Sequence, residues 1–352
     1  MPTRRLILKT GLATIAMPAV LRAQTLSGQI TLMSYAGIFQ DNYMKTVVEP
    51  FMAANPGVKV NFAPGGTSAQ MVGTVRAQKA DPQVDVAIMD VTTSSIGNLE
   101  GLFEKLNPAE FPVLEELLPE ARKAGGEFGP AVTFDHLVLV YDTQLKPPLA
   151  KLADLWRPDL KGALAISAPP NIQGLALTAM VEKMEGGDYK KSIDAAMKKL
   201  RELAPSVNTF DPNPDGYSLI LNGVVKVATG WNARSQLYAD QSGGKLAALL
   251  PPEGSVYQIN TINLVAGSKN RAAAVAFVKH ALSQQAQKAF TERMFYAPAN
   301  GKAQIDAKAL ARTAASPDSR AGMIDLDWND VLKVRDQWNN RWRREVIAQA
   351  GR

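Results

Sequence analysis

"QITLMSYAG" (29–37) is a short apolar run that ends in small polar residues, the pattern of a strand delivering a loop. The next fifty residues decide the fold. "DNYMKTVVEPFMAANPG" (41–57) puts Tyr43, Val47, Val48 and Phe51 on one helical face and stops at Pro-Gly, with Pro50 expected to bend or shorten the helix. A second strand, "VKVNFAP" (58–64), leads through a Gly-Gly loop to a second helix, "SAQMVGTVRAQKA" (68–80), and a third strand, "VDVAIMD" (84–90). Strands joined by helices of this length pair in parallel, because a parallel pair needs a crossover. The expected class is α/β, with mostly parallel sheets flanked by helices.

The alternation resumes further along. "VTFDHLVLVYD" (132–142) is β-branched and strand-like, and "LADLWRPDLKGALAIS" (152–167) reads as a short helix, a turn and a strand. "NIQGLALTAMVEKME" (171–185) and "SIDAAMKKLRELAP" (192–205) read as helices, "VVKVATGWNA" (224–233) as a strand, and 270–283 and 283–293 as a helix pair. With no Ser/Gly-rich linker and no repeat, the chain is expected to form two α/β lobes joined by several short crossings. The expected division is 28–132 plus 262–300 for lobe 1, and 133–261 plus 301–352 for lobe 2.

Composition narrows the function. "TRRLILKTGLATIAMPAVLRAQ" (3–24) has a basic start, an apolar stretch and a small residue, Ala23, before Gln24. It is expected to be an export signal, twin-arginine-like with a Sec signal as the alternative, cleaved near Ala23 to leave a periplasmic chain. The chain carries 39 Lys+Arg and 33 Asp+Glu, a net +6; Arg4, Arg5, Lys9 and Arg22 fall within 1–23 with no acid, which leaves +2. Nucleic-acid binding is therefore not indicated. The absence of cysteine removes disulfides, thiolate catalysis and cysteine metal sites, and two histidines are too few for a histidine metal centre. No cofactor is expected.

Three stretches, in order and at matching separations, carry a family resemblance. "LADLWRPDLKGALAIS", "VVKVATGWNARS" (224–235) and "GSKNRAAAVAFVKHALSQQAQKAF" (267–290) leading to "FYAPANGKA" (295–303) resemble spermidine/putrescine-type periplasmic solute-binding proteins. Trp231 and Asn232, then Tyr296, Pro298 and Asn300, stand in register with the family pattern, and the similarity runs from Gln29 to about Lys302. The resemblance implies a two-lobed protein that closes on a small-molecule ligand in a cleft between lobes. It also implies delivery of that ligand to an inner-membrane ABC permease, with the binding protein a monomer.

In such folds ligands collect at the carboxyl ends of strands, beside helix N-termini. The candidate loops are "SYAG" (34–37), "GGTSAQ" (65–70), "MDVTTSS" (89–95), "FDH" (134–136), "SAPPNIQG" (167–174), "WNAR" (231–234) and "YQINT" (257–261). Trp231 is either a core filler or, by its match to the family's tryptophan, a cleft wall. Arg234 is either an exposed arginine or a planar fork for a carboxylate or phosphate. Thr67, Ser68, Thr92 and Asn260 offer neutral hydrogen bonds, and Tyr35 and Tyr257 offer hydroxyls or ring faces. Asp90 and Asp135 are candidate anchors for an amine, Asp90 having a strand-end cap as its alternative. His136 reads as a satisfied interior histidine.

Departures from the family matter as much. Asn260 falls where polyamine binders carry an Asp, Gln258 at an aromatic position, and "SAPPNIQG" has no carboxylate. A desolvated polycation needs several anionic partners. The expected ligand is thus a small carboxylate or amino-acid-like solute, with polyamine as the alternative and ferric ion further behind, since no two tyrosines are adjacent. An enzyme is not expected: there is no Gly-x-Ser-x-Gly, P-loop or His-Glu-x-x-His. "DLDWNDVLKVRDQWNNRWRREV" (325–346) spaces Trp328, Leu332, Arg335, Trp338 and Trp342 for a helix that packs on one lobe.

Overall fold

The computed structural model describes residues 26–350, so the expected export signal at 1–23 lies outside the described residues. Among the described residues eleven strands occur in chain order: β1 (Gly28–Tyr35), β2 (Val58–Gly65), β3 (Val86–Asp90), β4 (Ala131–Asp142), β5 (Leu164–Ala165), β6 (Val207–Thr209), β7 (Val227–Trp231), β8 (Leu246–Leu249), β9 (Ser255–Leu264), β10 (Ala297–Pro298) and β11 (Met323–Ile324). Hydrogen bonds order them β2-β1-β3-β9-β4-β7-β5-β6, with β10 and β8 added on β4 and β11 on β9.

Each lobe holds a parallel trio. β1 pairs in parallel with β2 and β3, and β5 with β6 and β7. The antiparallel pairs all involve β4 or β9, so the sheets are mixed where the sequence suggested mostly parallel. These two strands are long enough to serve both lobes. Residues 131–136 of β4 pair with β9, and 137–142 pair with β7 and β8. Two of the expected loops are therefore strand interior: "FDH" lies within β4 and "YQINT" within β9.

Side-chain alternation explains why both faces of each sheet are covered. Ile30, Leu32, Val86 and Ile88 point into one core of lobe 1, while Met33, Ala87 and Met89 point into another, against Met71 and Val75. In lobe 2, Leu137, Leu139 and Leu164 face one core and Val138, Val140 and Ala165 the opposite one. Pro50 does not end its helix. Helical residues run from Ile38 to Ala54, widening to a π turn at Met44–Val48 where the Glu49 N–H reaches back to the Met44 carbonyl. The wider turn sits where the missing proline N–H would otherwise break the ladder. The C-terminal helix Trp328–Arg341 and the turn after it lay Trp328, Trp338 and Trp342 into the lobe 2 core, and Trp342 Nε1 donates to Thr178 at 2.8 Å.

Candidate functional site

The carboxyl ends of β1, β2, β3 and β7 each run straight into a turn and a helix: Ile38–Tyr43, Ser68–Ala77, Val91–Leu99 and Asn232–Gln241. The predicted residues sort into two groups around the crossing strands. Residues paired directly across a ladder share a face, so Asp135 with Gln258 and Thr133 with Asn260 lie on one side, and His136 with Tyr257 on the other.

One group is a closed hydrogen-bond chain. The Tyr35 hydroxyl donates to Asn260 Oδ1 at 2.9 Å, and Asn260 Nδ2 donates to Thr133 Oγ1 at 3.0 Å. A phenol has one proton, so Ser68 must donate to the Tyr35 oxygen, 2.9 Å away, while its own oxygen accepts the Asp90 N–H at 3.0 Å. Asp90 caps the helix Val91–Leu99, its carboxylate accepting from the Thr93 N–H and from the Thr92 and Thr93 hydroxyls. Thr67 is exposed and forms a capping box with Gln70. These side chains are occupied with one another and hold the ends of β1 and β3 to the middle of β9. Burial raises the Tyr35 hydroxyl well above its ordinary value, with Asp90 nearby adding to the effect.

The second group is less satisfied. Asp135 is 1% exposed and accepts the His136 N–H at 2.8 Å and the Ala233 N–H at 3.1 Å. It thereby caps, from β4, a helix whose own N-cap Trp231 offers no side-chain bond. Burial raises its carboxyl to about 7, against the pull of those N–H groups and of Arg234. Arg234 is partly buried, in the first turn of that helix, and makes no hydrogen bond or ion pair with another described residue. Among the described residues it is the only arginine both sheltered from solvent and unpartnered in this way. Burial works against its charge, while Tyr296, Tyr217, Tyr238 and Asp215 around it favour it. Trp231 is partly buried against the lobe 2 core, its N–H bonded to the Tyr217 oxygen at 2.8 Å. Gly230 makes that approach possible, since a Cβ there would lie 2.8 Å from the Tyr217 ring.

Tyr257 sits on the far side, its hydroxyl donating to the Ala314 carbonyl at 3.2 Å. His136 is interior as expected but not satisfied: its ring has no hydrogen bond to a described residue. Three contributors escaped the sequence reading of the site. Tyr296, 5% exposed, stacks on Phe290 at 5.4 Å, influences Tyr35, Asp135 and Arg234 alike, and has a hydroxyl bonded to no described residue. Gln258 donates to Asn260 while its Oε1 is buried without a partner. Thr133 closes the chain from β4. Two of them gave a signal, Tyr296 as a family-matched position shortly before Pro298 and Gln258 as a departure from the family within "YQINT".

Two lobes joined by two long strands, with one cation and one tyrosine hydroxyl left unmatched beside the strand ends, suit a protein that binds a solute. The sequence profile described as bacterial extracellular solute-binding protein matches residues 46–317, and the chain belongs to that family as a solute-binding component of an ABC transporter. It is similar to the gamma-aminobutyric acid-binding protein of Pseudomonas aeruginosa, 28% identical over 91% of this chain and 92% of that one. The spermidine/putrescine-binding periplasmic protein of Salmonella typhimurium is 22% identical over 69% of this chain and 71% of its own. A crystal structure of an ABC transporter from Clostridium perfringens superposes with a TM-score of 0.73 at 25% identity, covering 90% of this chain and 99% of that one. The family binds solutes rather than transforming them, and no helix among the described residues is long and apolar enough to cross a membrane.

Proposed function

We propose that this chain captures a small carboxylate or amino-acid-like solute, of the γ-aminobutyric acid kind, and hands it unchanged to an inner-membrane ABC permease. The single observation that carries the reading is Arg234, a sheltered guanidinium with no anion of its own beside the free hydroxyl of Tyr296. A carboxylate placed there accepts a bidentate pair of charge-assisted hydrogen bonds. Trp231 walls the pocket, and Asp135 and the unpaired Gln258 oxygen suit the ammonium end of a zwitterion. Tyr35, Ser68, Thr92 and Asp90 frame the site from lobe 1 and Asn260 from the crossing strand β9, Thr67 stands at its margin, and Tyr257 backs it from the far face of β9.

The protein works as a monomer, exported by a signal removed near Ala23. Its lobes are 28–132 plus 262–300, and 133–261 plus 301–352. The open form samples closure, and a ligand touching both lobes stabilises the closed one.

Polyamine binding is the second reading, favoured by the spermidine/putrescine-binding relatives. The charge at the site weighs against it: Asp90 is committed to its helix, which leaves Asp135 as a single carboxyl to face two or more ammonium groups. A polycation would find too few ionised carboxylates. A thermal-shift screen of γ-aminobutyric acid, small mono- and dicarboxylates, putrescine and spermidine tests the reading. Stabilisation by carboxylate-bearing solutes and not by diamines is expected; the reverse pattern overturns it.

A further inference from the structure

Behind the crossing strands lies a cavity of about 430 Å³, within the range of small-molecule sites. His136, Asn232, Gln236, Arg312 and the mutually bonded Ser316 and Ser319 form its polar side, and Leu250 and Leu310 stand on its apolar side. Most of the polar groups are spent on one another. Asn232 Nδ2 donates to the Arg312 carbonyl at 2.7 Å, Gln236 Nε2 to Asn232 Oδ1 at 3.0 Å, and Arg312 Nε to Gln236 Oε1 at 2.9 Å. The Arg312 guanidinium is paired in bidentate fashion with Asp240 at 2.9 and 3.0 Å, so the cavity presents no unbalanced charge.

Of the polar groups lining the cavity, one ring has no hydrogen bond at all to a described residue. His136 is 2% exposed, neither ring nitrogen is bonded to a described residue, and Nδ1 is fully buried. Burial lowers it to about 3, so the imidazole is neutral, with one N–H and one lone pair unused. Such orphaned groups are rare in an interior. A water needs two to four polar partners, and the self-bonded walls offer few beyond this ring.

We propose that this cavity is a second binding site, separate from the cleft, for a small uncharged molecule with an apolar body and one hydroxyl or carbonyl head directed at His136. The body rests on the leucine side and the head completes the imidazole. Because His136 follows Asp135 on the opposite face of β4, and Arg234 shares a helix with Gln236, an occupant touches both elements that carry the cleft groups.

The test uses 4-bromophenol as the probe with the full mature chain. Crystals grown with it should show an anomalous bromine peak in this cavity, with the phenol oxygen within hydrogen-bond distance of His136. The affinity should fall about tenfold in His136→Leu, the worth of one buried hydrogen bond. Should that variant not fold, Ala311→Trp, which narrows the cavity and keeps the ring, should weaken binding there at least tenfold. A cavity holding only ordered water, a bromine peak in the cleft alone, or unchanged affinity in whichever variant folds overturns the proposal.

Discussion

Asp135 gives the most quantitative consequence of the structure. Its carboxyl is buried at the N-terminus of the helix Asn232–Gln241 and is raised to about 7, chiefly by loss of water. In the unfolded chain the same group titrates near its ordinary value of about 3.9. Between those two values the folded protein holds a proton that the unfolded chain has released, so stability falls as pH rises. The benefit is complete below about pH 4 and gone above about pH 7. At about 1.4 kcal/mol per unit over roughly three units, the change is about 4 kcal/mol. Asp135→Asn keeps the shape and an oxygen for the Ala233 N–H but cannot ionise. Urea unfolding of both proteins from pH 4 to pH 7.5 should show the wild type losing about 4 kcal/mol relative to the variant. Parallel profiles would mean that Asp135 ionises normally in the fold, refuting the desolvation argument.

The same carboxyl makes ligand class readable from protons. An ammonium beside Asp135 expels its proton, so a zwitterion binding at pH 7, where this carboxyl is about half ionised, should release protons, while a plain carboxylate that neutralises Arg234 should take them up. Calorimetry in buffers of different ionisation enthalpy measures the sign, and the same sign for both classes would remove Asp135 from the site. Thr67→Ala breaks the capping box of the helix Ser68–Ala77 and should cost about 1 kcal/mol of stability. Ligand affinity should stay within twofold; a larger loss would return Thr67 to direct contact.

Much of the fold was legible because buried parallel strands read as apolar runs. "VDVAIMD" and "QITLMSYAG" needed only their bounding turns. The crossing strands misled for the opposite reason. Asp135 and His136 in β4, and Gln258, Asn260 and Thr261 in β9, are polar yet nearly inaccessible, because the two strands lie between the lobes and several of these groups bond to one another or to their neighbours. Local pattern cannot separate such a strand from a loop. Of the candidate site, the Trp231–Arg234 pair was legible only as a choice between a surface arginine and a fork for an anion, and what the local sequence could not give is that Arg234 lies partly buried without a hydrogen-bond partner among the described residues. Tyr296 is brought beside Asp135 by β10, a two-residue strand with no periodicity to read. The role of Asp90 depended on whether its partners closed on it, which only the geometry of the turn after β3 decides.

Arg234→Ala is the most direct test of the central claim, that an unpartnered guanidinium selects an anionic solute. Losing a bidentate charge-assisted contact of about 3 kcal/mol should weaken binding of γ-aminobutyric acid, or of whichever carboxylate the screen returns, roughly a hundredfold. The unliganded protein should melt within about 2 °C of the wild type, because no bond within the fold is broken. Undiminished affinity, or a melting temperature that falls along with it, would contradict the account.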